Sequence, residues 1–257
     1  MSEAETDGVV FATEQLLPEA WRHFPADGPV RAFNPGLLRD GTGWLLAYRI
    51  VGPDGARRIG ICRLDEALRV AAGSPRPLTD LVRFRPGAEY PELGTKWFAD
   101  PRLYRFSGRV FLHWNSGWHE PHNYQFLQEL DATTLQPLGN PRELLLAGER
   151  QKLEKNWTFF SADAAGGAGE QRLFAVYSII PHRVLEFTLE GEGDIGFRDV
   201  ARTEWALAGY PACHGGLRGG APAVLKDGLA WLFCHSVHDG PGGYRYAAAA
   251  CCFSAQP

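Results

Sequence analysis

Four segments of the chain share one plan: FNPGLLRDGTGWLLAYRI, ADPRLYRFSGRVFLHWNS, KNWTFFSADAAGGAGEQRLFAVYSI and GGAPAVLKDGLAWLFCHSV. Each opens on a polar or glycine-containing stretch and runs into a short apolar strand. A loop containing glycine follows, then a second apolar strand that ends in polar or aromatic residues: Tyr48-Arg49, Trp114-Asn115, Tyr177-Ser178 and His235-Ser236. With Asn34, Asp100, Asn156 and Gly220 as equivalent starts, the steps are 66, 56 and 64 residues. A hairpin repeated at such a period cannot bury both faces of its own small sheet, so it must stack on its neighbours.

That requirement predicts an all-β chain arranged as a β-propeller, in which sheets packed radially cover one another. Glycine (30 residues) and proline (18) punctuate the sequence throughout, which disfavours long helices. The one fair helix candidate, TEQLLPEAW, is interrupted by Pro18. No linker or low-complexity tract divides the chain. The expectation is a single domain over residues 1–257, with an N-terminal segment 1–28 and repeats starting near 30, 97, 154 and 216. Four blades are readable. The 71 residues from Gly220 through the termini to Asn34 hold the rest of one blade and room for a terminal strand at Gly8–Thr13, so a fifth blade is uncertain or missing. A shortened ring would cover its open edge by pairing with a second copy, giving a homo-oligomer.

In a propeller the first strand of each blade lines the central channel. Asn34, Asp100, Lys155, Asn156 and Arg218 would then converge on one axis. Asp100 and Arg102 stand two apart on a strand, which aims both at the same face.

Charge is nearly balanced, at −4 with a pI near 6.1, so no basic footprint for nucleic acid is present. No apolar run approaches the roughly 18 residues that span a bilayer, so no membrane partner is expected. The acidic, polar start MSEAETDG matches neither a secretion signal nor a transit peptide. Five cysteines without metal-type spacing read as reduced thiols of a cytoplasmic protein. His113, His119 and His122 lack the spacing of a metal site, and none is expected. Serine-nucleophile elbows, P-loops and dinucleotide fingerprints are missing.

The order of short motifs resembles glycoside hydrolase family 130, the β-mannoside phosphorylases and hydrolases with related β-mannosyltransferase-like proteins. These motifs are Asn-Pro-Gly in the first repeat, Asp-Pro-Arg in the second, Lys-Asn-Trp followed by Phe in the third, and Gly-Gly-x-Pro with the strand end His235-Ser236-Val237 in the fourth. The resemblance covers roughly residues 30 to 255. It implies a five-bladed propeller, an inverting mechanism and β-mannosides as substrates. By the same resemblance the general acid falls on Asp100, a sugar-binding Asn on Asn34 and a phosphate-contacting Lys on Lys155. The chain departs from the family where His238, followed by Asp239, occupies a position usually held by Asp. It departs again where Tyr177-Ser178 stand in place of an imidazole or arginine, and in ending before a fifth blade.

The individual residues carry two readings each. Asp100 is a general acid whose pKa is raised by desolvation, or a strand-start carboxylate paired with Arg102. Inversion needs a nucleophile opposite the acid, either phosphate or a water activated by a second carboxylate. Glu154, Asp163 and Asp239 are the candidates for that carboxylate, with strand-facing and turn roles as the alternatives. Lys155, Arg218, His235 and Arg245 suit an anion, helped by the glycine-rich HGGLRGG stretch from His214, or are turn and surface residues. Arg49, Asn115, Asn156 and Tyr244 complete the set of polar strand-end and loop candidates for substrate contact. Trp97, Trp114, Trp118 and Trp157 offer stacking faces for a sugar, or fill the gaps between blades. No cofactor is expected, and inorganic phosphate would serve as co-substrate if the reaction is phosphorolysis. The expected function is that of a carbohydrate-active enzyme on a small-molecule or oligosaccharide β-linked substrate, by phosphorolysis, hydrolysis or glycosyl transfer. The alternative is a non-catalytic carbohydrate-binding propeller.

Overall fold

The computed structural model describes residues 8–24, 27–88, 90, 97–117, 122–150, 155–163, 171–241 and 243–256. The chain is an all-β propeller, and among the described residues its sheets amount to four blades. Blade 1 holds β1 (Arg31–Asp40), β2 (Gly43–Val51) and β3 (Arg57–Leu64). Blade 2 holds β4 (Ala99–Phe106), β5 (Arg109–Asn115), β6 (Gln125–Leu130) and β7 (Pro137–Leu146). Blade 3 holds β8 (Thr158–Asp163), β9 (Gln171–Ser178), β10 (His182–Phe187) and β11 (Ile195–Thr203). Blade 4 holds the short inner strands β12 (Arg218–Gly219) and β13 (Val224–Lys226), then β14 (Leu229–Gly240) and β15 (Gly243–Ser254). Pairing is antiparallel within blades, whereas β7 and β11 run parallel and join the outer strands of blades 2 and 3.

The helix candidate behaves as its proline dictates. One helical turn covers Thr13–Leu16, and a single 3-10 turn resumes at Glu19–Trp21, beyond Pro18. No strand forms at residues 8–12, contrary to the expectation of a terminal strand there.

Blade-to-blade packing explains why the central strands are apolar on both sides. One cluster joins blades 1 and 2 through Leu45, Ile59, Leu103, Leu112 and Trp114. A second joins blades 2 and 3 through Tyr104, Phe111, Phe159 and Leu185, and a third joins blades 3 and 4 through Phe160, Val176, Leu232 and Cys234. The other face of blade 1, with Leu46, Tyr48, Ile50 and Cys62, is covered by Leu16 and Trp21 of the N-terminal segment.

The polar starts of three blades share an unusual backbone. Asn34, Asp100 and Asn156 all adopt positive φ, at 52°, 52° and 64°. Asn and Asp visit this left-handed region at a lower cost than other side chains. In blades 1 and 2 the reason is a β-bulge. Asn34 and Pro35 together oppose Tyr48, and Asp100 and Pro101 together oppose Trp114. The glycine of Asn-Pro-Gly follows from close packing at that bulge, because a Cβ on Gly36 would lie 2.6 Å from the Pro101 carbonyl oxygen.

Candidate functional site

The inner strands of the four blades enclose a cavity of about 480 Å³ at their polar ends. Asn34 and Leu37 line it from blade 1, and Asp100 and Arg102 from blade 2. The stretch leading into blade 3 contributes Lys155 and Asn156, and blade 4 contributes Arg218, His235 and Tyr246. The expected convergence of Asn34, Asp100, Lys155, Asn156 and Arg218 is therefore met in space.

Asp100 is the centre of the hydrogen bonding. The Asn34 amide donates to its Oδ1, the Arg49 Nη1 lies 3.4 Å from that same oxygen, and the Asn115 amide donates to Oδ2 at 3.2 Å. Asn115 is itself fixed, since its Oδ1 accepts the Gly117 backbone N–H at 2.6 Å. The Arg49 guanidinium also stacks over Phe33, 4.0 Å from the ring centre. Burial alone would raise the pKa of Asp100. The hydrogen bond from Asn115, the charge of Arg49, the hydrogen bond from Asn34 and the charge of Arg102 outweigh it, and the net direction is down. The expected elevation by desolvation is thus reversed, and the free protein holds Asp100 as a carboxylate.

Arg102 is not its ion-pair partner. Its Nη1 donates to the Trp157 carbonyl at 2.5 Å, and its Nη2 donates to the Gly219 carbonyl at 3.1 Å and to Asn156 Oδ1 at 3.4 Å. The bulge at Asp100 breaks the two-residue alternation, so the carboxylate and the guanidinium serve different neighbours. Arg102 ties blade 2 to blades 3 and 4. Gly219 allows that approach, because a Cβ there would stand 2.3 Å from the Asn156 carbonyl oxygen.

Opposite Asp100 the charge is positive. Lys155 has its pKa lowered first by burial and then by Arg218, with Asp100 opposing. His235 is lowered by burial, then by Arg102 and Arg218, again against Asp100. Arg102, Lys155 and Arg218 thus share one cavity with a single carboxylate among the described residues that line it. Such a wall favours an anionic group.

Other expected contacts fall elsewhere. Trp114 and Trp157 are each 1% exposed, packed against Phe98 and Phe126 and against Tyr177 and Phe197 respectively, so neither turns a face to the axial cavity. His214 stacks on His238 at 5.8 Å, whose Nδ1 lies 2.8 Å from the Cys213 carbonyl oxygen. Asp239, Tyr244 and Arg245 stand at the exposed hairpin end of β14 and β15 and do not line the cavity. Glu154 and Trp118 lie outside the described residues, and of Asp163 only the backbone is described. His113 is buried, and its pKa is driven down to about 3 by desolvation. Among the described residues no cluster of His, Cys, Asp and Glu could hold a metal ion. The sequence reading missed Tyr246, whose ring centre lies 5.8 Å from that of His235. Its place was legible in the alternation Tyr244-Arg245-Tyr246, which puts both tyrosines on one face.

No family model and no curated protein matches the sequence. Solved structures do match in fold. The RS223 β-xylosidase superposes with a TM-score of 0.52 at 14% identity, over 92% of this chain and 76% of that one. The GH43B protein of a xyloglucan PUL from Bacteroides ovatus gives 0.50 at 14% identity, over 85% of this chain and 40% of that one. At such identity the likeness concerns architecture alone, and it agrees with the blades described above. The chain therefore has the fold of the β-propeller glycoside hydrolases.

Proposed function

We propose that the protein is a carbohydrate-active enzyme that cleaves or transfers a β-linked, mannoside-like sugar, with Asp100 as general acid and Asn34 holding the sugar. The observation that carries this reading is the seating of Asp100 between three polar donors, facing Lys155 and Arg218 across one cavity. In the reaction the Asp100 proton passes to the glycosidic oxygen, directly or through a sugar hydroxyl, as the bond from that oxygen to C1 breaks. A nucleophile then joins C1 from the opposite face, as inversion requires.

Phosphate is the nucleophile the site favours. Among the described residues that line the cavity Asp100 is the only carboxylate. Lys155, Arg218 and His235 supply donors for a phosphate dianion, and a dianion so close would favour protonation of Asp100. The product would be a sugar 1-phosphate. The second reading, a carbohydrate-binding propeller without turnover, draws on the ionised state of Asp100 in the free protein.

A panel of β-mannosides incubated with and without inorganic phosphate separates these readings. Mannose 1-phosphate marks phosphorolysis, free mannose marks hydrolysis, and saturable binding without either product supports the binding propeller. Asp100→Asn should lower turnover roughly 100- to 10,000-fold, and undiminished turnover would remove Asp100 from the mechanism. Unfolding measurements keep folding apart from chemistry. Because the folded pKa is depressed, the contribution of the Asp100 carboxylate to stability is complete above its ordinary value of 3.8 and is lost as pH falls through the depressed value. The stability gap between wild type and Asp100→Asn should close over that acid range.

A further inference from the structure

The central strands of the four blades are alike in sequence, being apolar at successive positions: Leu45 to Tyr48, Val110 to Leu112, Leu173 to Val176, and Leu229 to Cys234. A strand apolar on both sides is suited to burial on both sides. In β2, β5 and β9 that is what the fold provides. In β14 only one side is covered, by blade 3, through Ala230, Leu232 and Cys234. On the other side Trp231 is 40% exposed and Phe233 53% exposed. Register with β15 adds Tyr246, opposite Val237 and 67% exposed, and Tyr244, opposite Asp239 and 70% exposed. Taking about 200 Å² for a fully exposed aromatic side chain, these four leave roughly 450 Å² in water, more than half of the ~800 Å² each partner gives to a standard interface.

We infer that this face of blade 4 is the interface of a two-fold dimer, covered by the same face of a second copy of the chain. Two features favour the copy. On this face β14 and β15 carry no charged residue except Asp239 at the hairpin end, and the inner strands add Lys226, opposite Leu229, and Arg218, opposite His235, so a two-fold axis brings no row of like charges together. Blade 1, the other end of the sheet array, already has its outward face sealed by Leu16 and Trp21. A head-to-tail contact of blade 4 on blade 1 would have to displace that segment, whereas blade 4 on blade 4 closes at two copies. Because Tyr246 belongs both to this face and to the lining of the axial cavity, the partner would touch the rim of the site.

The test is the mass of the full chain in solution across about 1 to 100 µM, by light scattering after size exclusion, for wild type, Phe233→Glu and a control, Leu138→Glu. Leu138 is exposed on β7, away from the face. The expected result is twice the chain mass of 28.4 kDa for wild type and control at the upper concentrations, and the mass of one copy for Phe233→Glu with an unchanged circular dichroism spectrum. A wild type that stays at one copy overturns the inference and leaves the face to a different chain. So does a dimer that survives Phe233→Glu. Alkylation of Cys252, which opposes Trp231 and is exposed on the same face, tests it without a variant of the interface. In a Cys213→Ser background its rate should fall as dimer forms, and a rate independent of concentration while the mass doubles would move the interface elsewhere.

Discussion

At blade 1 the outward face presents Leu46, Tyr48, Ile50, Cys62 and Leu64, and the segment ahead of β1 closes over it with Leu16 and Trp21. At blade 4 the outward face presents Trp231 and Phe233 to solvent. The two faces are similar in apolar content, so the difference lies in the cover and not in the sheet. Blade 1 is anchored locally by the segment ahead of β1, with its one helical turn and one 3-10 turn. The indole Nε1 of Trp21 donates to Asp80 at 2.8 Å, and the Tyr48 hydroxyl donates to the Leu16 carbonyl. The axial cavity sits between these unequal ends, positioned by the three clusters that join neighbouring blades.

The comparison is tested most strongly by a matched pair of truncations. Trp21→Ala should lower the unfolding free energy by about 3–5 kcal/mol, the range for emptying a buried aromatic site. Phe233→Ala, measured in urea at concentrations where the chain is a single copy, should change it by less than about 0.5 kcal/mol. Equal losses would mean that the two ends do not differ in cover. A smaller effect is expected for Tyr48→Phe, which leaves the Leu16 carbonyl without its donor and should cost about 1–2 kcal/mol in the same measurement. The smallest perturbation uses the native thiols. Cys62, buried under the N-terminal segment with its pKa pushed up to about 12 by desolvation, should alkylate only through unfolding. Cys252 in the dilute chain should react directly. Fast reaction at Cys62 in the folded protein would show that the cover over blade 1 opens on its own.

The sequence carried the blades because three signals recur in the repeats: a polar or glycine-containing opening, a short apolar run and a loop with glycine. Asn34, Asp100 and Asn156 share a left-handed backbone, the physical content of that equivalence. What the sequence could not carry was the bulge. Simple alternation sends Asp100 and Arg102 to one spot, and the extra residue sends Arg102 to the carbonyls of Trp157 and Gly219 instead. The partnership of Asp100 with Arg49 crosses blades and leaves no local trace. Trp114 and Trp157 look like sugar platforms beside polar residues, yet the apolar positions around Trp114 foretold that both sides of its strand would be packed. Leu16 and Trp21 read as part of a poor helix, and their role as a cover depends on a face formed by residues 25 to 48 positions away.

Arg102 has a consequence for how any ligand would be received. Its one guanidinium holds the backbone of two other blades, so the floor beneath Asp100 is assembled before a ligand arrives. Capture should then resemble a key entering a cut lock: arrival would be governed by encounter and by shedding of water, with little slow rearrangement afterwards.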